Sequence, residues 1–534
     1  MKYVKILSLI LSLFMLLSFF AACGESPVET GDTETDSVEA SRQPSESNST
    51  EIITDTETET ETETETETET ETEPEERVAI EDFVSFCDYT SDTRSTGNFA
   101  NGKEYAVYFE IPDGYLRSFS LHLTEPNDDY CNYLIELYEC EKIYSSSNNI
   151  PKLISDEPIF RDRVYEMDFR TYTAYMNDDI GAGHYLLKVT SPDYEEYGDK
   201  IMLGKAWVAS LPEEYKQYNM RTYIDGKAQK KNGFYGGFII EHDVPVSQVG
   251  ELNEEKVTEK DEGDNIAKVI LLAGQSNATG ASMCRLLKEN VSAEKYQEYV
   301  DGYSNVQILY FNGSIGDDGK AYATNPSNGF VPTAISQGHQ TYNFGPELGL
   351  AEYLNKTYPD DTFYIIKYGV GGVSLSGYYN PTDEEKDECL TGFKDLINEG
   401  LYLLEADGLE PRIVSFLWMQ GEADAYTLKG TYNYYGLQKA LVEGLREEYA
   451  DYASARGISF VNAAISDHGQ WCMALAMNYI KQKYAYDSLL NYYIDTNGEW
   501  LTTLYENNDP AHYDSESMIR LGELFGEAIS EHID

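Results

Sequence analysis

An apolar run that stops abruptly in a polar turn constrains this chain most. Residues Val269 to Ala273 are all apolar, which is typical of a strand buried on both faces in a parallel sheet. Gly274 ends the run, and Gln275 to Gly280 are mostly small or polar before apolar periodicity returns at Leu286. This pattern predicts a strand-to-helix turn at the carboxyl edge of the sheet, where open α/β sheets place their chemistry.

Ser276 lies in this turn. A serine at such a position can present its hydroxyl to a crevice, while backbone amides at the helix start favour a developing negative charge. The turn would then supply a nucleophile and part of an oxyanion hole. The alternative is a Ser- and Asn-rich connection without chemistry, because a short motif is only a hypothesis.

Residues 266–534 alternate between apolar runs and helical periodicity. This predicts an α/β fold, a three-layer, doubly wound parallel sheet with helices on both faces. The strand candidates are Val269–Ala273, Val306–Tyr310, Phe363–Tyr368, Ile413–Trp418 and Ser459–Ile465. The helix candidates are Pro346–Thr357, Glu384–Ala406, Tyr435–Arg456, Trp471–Tyr484 and Glu516–His532.

Residues 77–245 show short segments that alternate in period two between turn residues. This pattern predicts an antiparallel β-sandwich or jelly roll. The strand candidates are Tyr105–Phe109, Leu116–Leu123, Tyr133–Tyr138, His184–Val189 and Phe234–Ile240. A carbohydrate-binding role and a spacer role both stay open, because a fold does not establish a function. The charged residues 246–265 are the expected linker.

The start of the chain has the pattern of a secretory signal. Two lysines precede an apolar run from Ile6 to Phe20, and the run ends in Ala21-Ala22-Cys23. This ending resembles the lipobox of bacterial lipoproteins, so residues 1–22 are the expected signal peptide and Cys23 the expected lipid attachment site. An ordinary cleaved signal is the alternative.

Residues 23–76 contain few large apolar side chains, and Thr and Glu alternate from Thr54 to Glu73. Such a segment cannot bury a core and its charges repel, which predicts a disordered tether. A lipid followed by a tether predicts an extracytoplasmic protein anchored to a bacterial cell membrane.

The charge balance of the chain indicates which classes of binding partner to expect. The chain has 94 Asp and Glu against 39 Lys and Arg, a formal net charge of -55. No basic patch is interleaved with aromatics, so nucleic acid is not an expected partner. An acidic chain with 45 tyrosines suits neutral partners such as sugars.

Beyond Cys23 the cysteines form no CxxC pair, so a Cys131–Cys140 bridge and free thiols both stay open.

Three further stretches fall where such a sheet places active-site loops. They are Lys367–Leu375, which is rich in glycine, Trp418–Asp424 and Asn508–Asp514. In the last of these, Asp509 precedes His512 by three residues. A carboxylate at this spacing can bond Nδ1 of the histidine and leave Nε2 free to take a proton from a serine.

Taken in order, these motifs resemble those of a known family. The set is GQSN (274–277), FGPELGLA (344–351), KYGVGGVSL (367–375), WMQGEAD (418–424) and DPAH (509–512). It resembles the sialate O-acetylesterase and acetylxylan esterase group of the SGNH hydrolase superfamily, related to carbohydrate esterase family six. The resemblance begins at about Ile266 and runs to the end of the chain.

The resemblance implies a role for each matching residue. Ser276 would be the nucleophile, His512 the general base and acid, and Asp509 its orienting carboxylate. The oxyanion hole would comprise the Ser276 amide, an amide at Gly372 and the Gln420 side chain, although the wider superfamily has Asn in that last block. The expected supporting residues are Gln275, Asn277 and Glu422. No metal or other cofactor is expected.

The resulting hypothesis is a serine esterase that removes O-acetyl groups from carbohydrates, either a plant polysaccharide such as xylan or sialic acid, through an acetyl-enzyme. One alternative is a general short-chain esterase or lipase, which the polar connection 312–343 disfavours. Another is a non-catalytic glycan-binding protein, which the intact Ser, Asp and His disfavour. His468 is a rival base, but its neighbour Asp467 is poorly placed to orient it.

The anchor can be tested by Cys23→Ala. We expect this variant to leave the membrane fraction or to stall in processing, because a single lipid-bearing thioether would hold the protein. Detergent-phase partitioning of the wild type and the variant measures the effect. Unchanged partitioning of the variant would exclude the lipoprotein interpretation.

Overall fold

The computed structural model describes residues 77–86, 98–99, 104–123, 132–144, 148–165, 170–190, 203–207, 213–229, 232–234, 236–245, 257, 260–261, 263, 265–316, 320–379, 388–467, 471, 473–503, 509 and 511–533. Residues 77–534 form one compact unit. The predicted signal peptide, Cys23 and the predicted tether lie outside the described residues, as does most of the linker predicted at 246–265.

The amino-terminal part is built from antiparallel strands. They are β1 (Arg77–Ser85), β2 (Asn98–Phe99), β3 (Glu104–Ile111), β4 (Tyr115–Leu123), β5 (Asn132–Glu139), β6 (Phe160–Tyr165), β7 (Arg170–Ile180), β8 (Gly183–Thr190), β9 (Leu203–Trp207), β10 (Arg221–Ile224), β11 (Lys227–Ala228), β12 (Asn232–Phe234) and β13 (Gly236–Pro245). One sheet has the order β1-β13-β4-β9-β12, with β2 on β9 and β7 on β4, and the other has the order β11-β10-β3-β8-β5-β6.

Side chains from these two sheets share one apolar cluster. Phe109 of β3 stacks on Phe238 of β13 with 4.6 Å between ring centroids, and both rings are fully buried. The period-two alternation explains this cluster, because alternate residues of each strand point to the same face. The antiparallel strands expected between Tyr105 and Ile240 are therefore confirmed.

The carboxyl-terminal part alternates strands with helices. Its strands are β14 (Ile266–Gly274), β15 (Ser282–Met283), β16 (Tyr303–Ile315), β17 (Ala321–Pro326), β18 (Val331–Thr333), β19 (Asn343–Phe344), β20 (Phe363–Gly371), β21 (Glu410–Met419), β22 (Ser459–Ala463) and β23 (Asn491–Ile494). Its helices are α1 (Ser276–Thr279), α2 (Cys284–Asn290), α3 (Ala293–Asp301), α4 (Glu347–Thr357), α5 (Leu375–Tyr378), α6 (Glu388–Ala406), α7 (Leu428–Glu448), α8 (Ala474–Ala485) and α9 (Ser515–Ile533).

The large sheet of this part is mostly parallel, with the order β17-β16-β20-β14-β21-β22-β23 and β18 paired on β16. Strand β14 lies in its interior and pairs in parallel with β20 and β21, so that Gly274 is opposite both Gly369 and Met419. The chain first builds the side of the sheet that contains β16 and β20, then crosses to build the side that begins with β21. The carboxyl end of β14 therefore lies where the direction of winding reverses, and ligands bind at such points.

Helices cover both faces of this sheet. Ile366 contacts α6, where a side chain at Gly400 would come within 2.5 Å of it. The next residue, Lys367, points to the opposite face and pairs with Glu347 of α4. Because successive residues of a strand alternate in direction, α4 and α6 lie on opposite faces. This confirms the α/β class with a mostly parallel sheet.

Several elements differ from the sequence predictions, and two of them show why. Strand β23 extends the sheet beyond β22, but its four residues include two half-buried tyrosines and give no continuous apolar run. Helix α7 begins at Leu428 and ends at Glu448 instead of spanning Tyr435–Arg456. It begins early because the side chain of Thr427 accepts a hydrogen bond from the Gly430 amide and caps the first turn.

The two parts of the compact unit contact each other through aromatic side chains. Phe83 of β1 lies against Tyr479 of α8, with 6.4 Å between centroids, and the Tyr479 hydroxyl donates to Asp82 at 3.2 Å. The Tyr175 hydroxyl of β7 lies 3.5 Å from a carboxylate oxygen of Asp467. The second contact brings the amino-terminal part to the carboxyl edge of the parallel sheet.

Among the helices in the described part of the chain, none combines the length and apolarity needed to cross a bilayer.

Candidate active site

The turn after β14 is fixed by backbone contacts that only glycine allows. Gly274 has φ 145°, and a Cβ there would lie 1.9 Å from the Met419 carbonyl oxygen. Gly280 ends the turn with φ 85°, in the region that glycine adopts most readily. Between them, Ser276 is partly exposed, whereas the rest of α1 is buried. The turn therefore leaves its serine accessible.

Asn277 connects this turn to the histidine loop. Its amide nitrogen donates to the Ala511 carbonyl at 3.2 Å, and its amide oxygen accepts from the Tyr513 amide at 3.2 Å. These two partners are the residues on either side of His512. The residue after Ser276 thus holds the backbone on both sides of the predicted base. The Ser282 hydroxyl adds a hydrogen bond to the Tyr513 carbonyl at 2.7 Å.

Asp509 contacts His512 as the three-residue spacing predicts. An oxygen of Asp509 lies 2.7 Å from Nδ1 of His512, and the other oxygen accepts from the Ala511 amide at 2.9 Å. Burial acts to raise the pKa of Asp509, but the hydrogen bond and charge of His512 and the loop amides outweigh it and lower the pKa. An ionised Asp509 can hold the tautomer with the proton on Nδ1.

Glu422 has a different position. It is 1% exposed, and one of its oxygens accepts from the Asn277 amide at 2.7 Å. Its other oxygen has no hydrogen-bond partner among the described residues. Burial raises the pKa of Glu422, and the Asn277 hydrogen bond and nearby Lys481 oppose that rise. Glu422 therefore supports Asn277, whereas Asp509 contacts the imidazole.

Gln275 and Gln420 link the turn to the loop after β21. The Gln275 side-chain oxygen accepts from the Ala423 amide at 3.1 Å and from the Gln420 amide group at 3.2 Å. The same Gln420 nitrogen lies 3.0 Å from the Val373 carbonyl and 2.7 Å from Asp424. Gln420 is fully buried, so donation to an oxyanion would require it to exchange one of these acceptors.

Gly372, the other predicted oxyanion donor, lies just beyond the end of β20 with φ 75°. Strand β20 pairs with β14 up to Gly369, so the Gly372 turn lies at the same edge of the sheet as Ser276. The residues that follow are held in place, because the Leu375 amide donates to Asp424 at 2.8 Å. Ser276 and Gly372 remain the predicted sources of oxyanion-binding amides.

A buried ion pair that no sequence motif indicated supports the Ser276 turn. Lys367 and Glu347 are both fully buried, with 2.7 Å between Nζ and the carboxylate. Lys367 also donates to the Thr279 carbonyl at the end of α1, at 3.0 Å. Burial lowers the pKa of Lys367, and Glu347 opposes that change. The sequence signal for this ion pair is a lysine inside an otherwise mostly apolar strand.

A second buried lysine lies behind the Gln420 loop. The Lys481 ammonium donates to the Gln420 carbonyl. Burial lowers the pKa of Lys481 to about 7, although Glu422 and Asp424 act to raise it. The Gln420 carbonyl of this loop is therefore held by a lysine inside the protein. No sequence motif indicated this role for Lys481.

A second histidine also lies near the site. The His339 amide donates to the Gly280 carbonyl at 2.7 Å. Burial lowers the pKa of His339, and the charges of His512 and Lys367 lower it further. The rival base considered from the sequence, His468, lies outside the described residues. Within the described ranges, no group of His, Cys, Asp or Glu side chains is arranged to hold a metal ion.

Comparisons with known proteins extend these observations. Residues 266–531 match the family model described as carbohydrate esterase, sialic acid-specific acetylesterase. No curated protein sequence matches the chain. Similar solved structures include NanS, with 14% identity over 50% of this chain and 98% of that chain, at a TM-score of 0.35.

Two other similar structures have TM-scores of 0.27. One is Axe2, an acetylxylan esterase from Geobacillus stearothermophilus, with 13% identity over 52% of this chain and 97% of that chain. The other is a family two carbohydrate esterase from Cellvibrio japonicus, with 10% identity over 86% of this chain and 100% of that chain.

Variants of the two carboxylates test their separate positions. We expect Asp509→Asn to lower kcat on a small acetyl ester by about 10³–10⁴-fold, because an amide favours the wrong histidine tautomer and cannot stabilise the imidazolium. Glu422→Gln keeps an acceptor for Asn277 and should cost only about 10–100-fold. Ser276→Ala sets the floor. A Glu422→Gln enzyme at that floor beside a nearly normal Asp509→Asn would assign the orienting role to Glu422.

The buried ion pair can be tested by equilibrium unfolding in urea. Lys367→Met should destabilise the fold by about 3–5 kcal/mol, because it leaves the Glu347 carboxylate buried without a cation. Lys268→Met is the matched control on β14, since Lys268 pairs with Asp361 at 2.8 Å but both side chains are partly exposed; its loss should cost at most about 1 kcal/mol. Equal losses in the two variants would contradict a structural role for Lys367.

Proposed function

Residues 266–531 belong to the carbohydrate esterases of the sialic acid-specific acetylesterase family, which makes the protein a carbohydrate O-acetylesterase, and we propose that it acts through an acetyl-enzyme formed on Ser276. The observation that carries this mechanism is the bonding of Asn277 to both neighbours of His512. It joins the accessible serine turn to a histidine that already contacts a carboxylate.

In the proposed reaction, the Ser276 hydroxyl attacks the acetyl carbonyl carbon while Nε2 of His512 takes its proton. Backbone amides at Ser276 and Gly372 stabilise the oxyanion. The bond to the sugar oxygen then breaks, and that oxygen receives the proton from His512. Water, deprotonated by the same histidine, releases acetate. Throughout, Asp509 holds the proton on Nδ1 and stabilises the imidazolium.

The proposed substrates are acetylated plant polysaccharides such as xylan, or acetylated sialic acid. We propose that the antiparallel sheets of residues 77–245 form a β-sandwich that assists binding of the carbohydrate. The contact between Tyr175 and Asp467 supports this role, because it brings the sheets to the edge that carries Ser276.

We also propose that a lipid on Cys23 and the Thr- and Glu-rich tether hold the enzyme outside the cytoplasm at the cell membrane.

Acetate release from acetylated xylan, mannan, pectin and sialic acid tests the activity. We expect the wild type to release acetate from at least one of these and Ser276→Ala to release none. Rapid quenching should also trap wild-type protein heavier by one acetyl group, as the covalent mechanism requires.

Two outcomes would favour other functions. Faster hydrolysis of long-chain esters than of sugar acetates would indicate a general esterase or lipase. Glycan binding without any acetate release would indicate a binding protein.

A further inference from the structure

Trp500 occupies a position that the fold alone does not explain. Its side chain is 88% exposed, and its backbone has φ 60°. That conformation suits glycine or asparagine and is strained for a bulky residue. Strained residues of this kind cluster at functional sites, where the surrounding structure enforces them. Trp500 is therefore both exposed and strained, and neither property stabilises the folded chain.

The turn around Trp500 is firmly held. The Trp500 amide donates to the Asn497 carbonyl and the Leu501 amide to the Thr496 carbonyl, each at 3.0 Å. Leu501 and Thr496 are buried on either side of it. The indole ring consequently projects from a fixed backbone, so that ligand stacking on the ring need not also order the backbone.

This turn lies beside the histidine loop. The Tyr513 hydroxyl lies 3.0 Å from the Thr496 hydroxyl, and the Asp514 amide donates to the Thr502 carbonyl at 3.0 Å. Tyr513 and Asp514 directly follow His512. The two segments that flank Trp500 thus bond to the residues that follow the predicted base, which places the Trp500 turn beside the loop that carries His512.

A second aromatic side chain reaches the same region from the amino-terminal part. Tyr175 is 56% exposed, and its hydroxyl lies 3.5 Å from Asp467. The Asp467 amide in turn donates to the Asn497 side chain at 3.1 Å, and Asn497 belongs to the Trp500 turn. Asp467 therefore connects Tyr175 to the turn that carries Trp500.

The charges of this region favour a neutral ligand. Asp467, Asp495 and Glu499 supply carboxylates around the two aromatics, and Arg520 already pairs with Glu499 at 3.1 Å. A sugar that carries a carboxylate would be repelled, whereas the hydroxyls of a neutral sugar can donate to these oxygens. The C–H face of a sugar ring is apolar enough to lie on an indole.

We propose that Trp500, together with Tyr175, forms a subsite for a neutral sugar ring of an oligosaccharide chain, adjacent to the sugar whose acetyl group reaches Ser276. The proposal rests on the proposed function, because it requires the chain to present an acetyl ester to that serine. It adds the class of substrate: a neutral acetylated chain in preference to an acetylated sialic acid.

The test compares two substrates in the full-length enzyme. An acetylated xylo-oligosaccharide spans the subsite, whereas p-nitrophenyl acetate does not. For Trp500→Gly, the ratio of kcat/KM on the oligosaccharide to kcat/KM on p-nitrophenyl acetate should fall about two- to tenfold, through KM, as expected for the loss of one aromatic stacking contact. Glycine suits φ 60°, so its Tm should not fall below that of the wild type.

Two further variants control this comparison. Trp500→Phe keeps an aromatic face and should retain most of the ratio. Tyr402→Ala removes a side chain that is 68% exposed near the end of α6, at the opposite edge of the sheet, and should leave the ratio unchanged. O-acetylated sialic acid is the anionic substrate, and the wild type should show a lower kcat/KM on it than on the oligosaccharide.

Three results would overturn the proposal: an unchanged ratio in Trp500→Gly, an equal fall in kcat/KM on both esters, or a preference of the wild type for acetylated sialic acid. These differ from failure of the proposed function itself, in which the wild type would release acetate from neither sugar substrate.

Discussion

Three segments that are far apart in the chain meet at the side chain of Asn277. A primary amide is suited to this position, because it offers two donors for Glu422 and Ala511 and an acceptor for the Tyr513 amide. Neither a carboxylate nor an apolar side chain could satisfy all three partners. Since the site is buried, each lost partner would cost more than an exposed hydrogen bond. The position of the Ser276 turn relative to the loop of His512 therefore depends strongly on this amide, with the Ser282 hydroxyl adding one more bond to Tyr513.

Buried charges hold the segments that Asn277 joins. Lys367 bonds the end of the serine turn and pairs with Glu347, while Lys481 bonds the carbonyl of Gln420. Burying such groups is costly, and a buried ion pair is weak evidence for stability. The role of these lysines is to position the backbone. A lysine side chain can donate hydrogen bonds in several directions, and the carbonyl groups that accept them are thereby held in one arrangement. The site is consequently assembled from fixed elements before any substrate binds, as electrostatic catalysis requires.

The edge of the parallel sheet also carries the elements of the proposed sugar subsite. Strand β14 delivers Ser276 at the point where the winding of the sheet reverses, and the segment after β23 places Trp500 beside the loop that carries His512. On the other side, β7 contributes Tyr175 next to Asp467. An acidic rim with exposed aromatics fits the acidic composition of the chain and the neutral chemistry of most polysaccharides.

Local sequence was sufficient to predict those structural features whose physical cause is local. The five parallel strands whose sequences are mostly apolar, such as Val269–Ala273, were all predicted, because burial on both faces disfavours polar residues. The contact between Asp509 and His512 also followed from spacing, since three residues of loop bring the two side chains together. The motifs indicated the family for the same reason: each is a short segment whose residues act at one place.

Tertiary structure decided everything that depends on distant partners. The start of α7 depends on capping by Thr427, and the edge strand β23 pairs with β22 despite its half-exposed tyrosines. The Gln420 amide group bonds Gln275, which lies 145 residues away, so its surroundings could not be read from the QGE motif. Likewise, the strained backbone of Trp500 is visible only in the folded chain. Sequence alone thus predicted which residues carry the chemistry, whereas long-range hydrogen bonds and packing decided which of them touch.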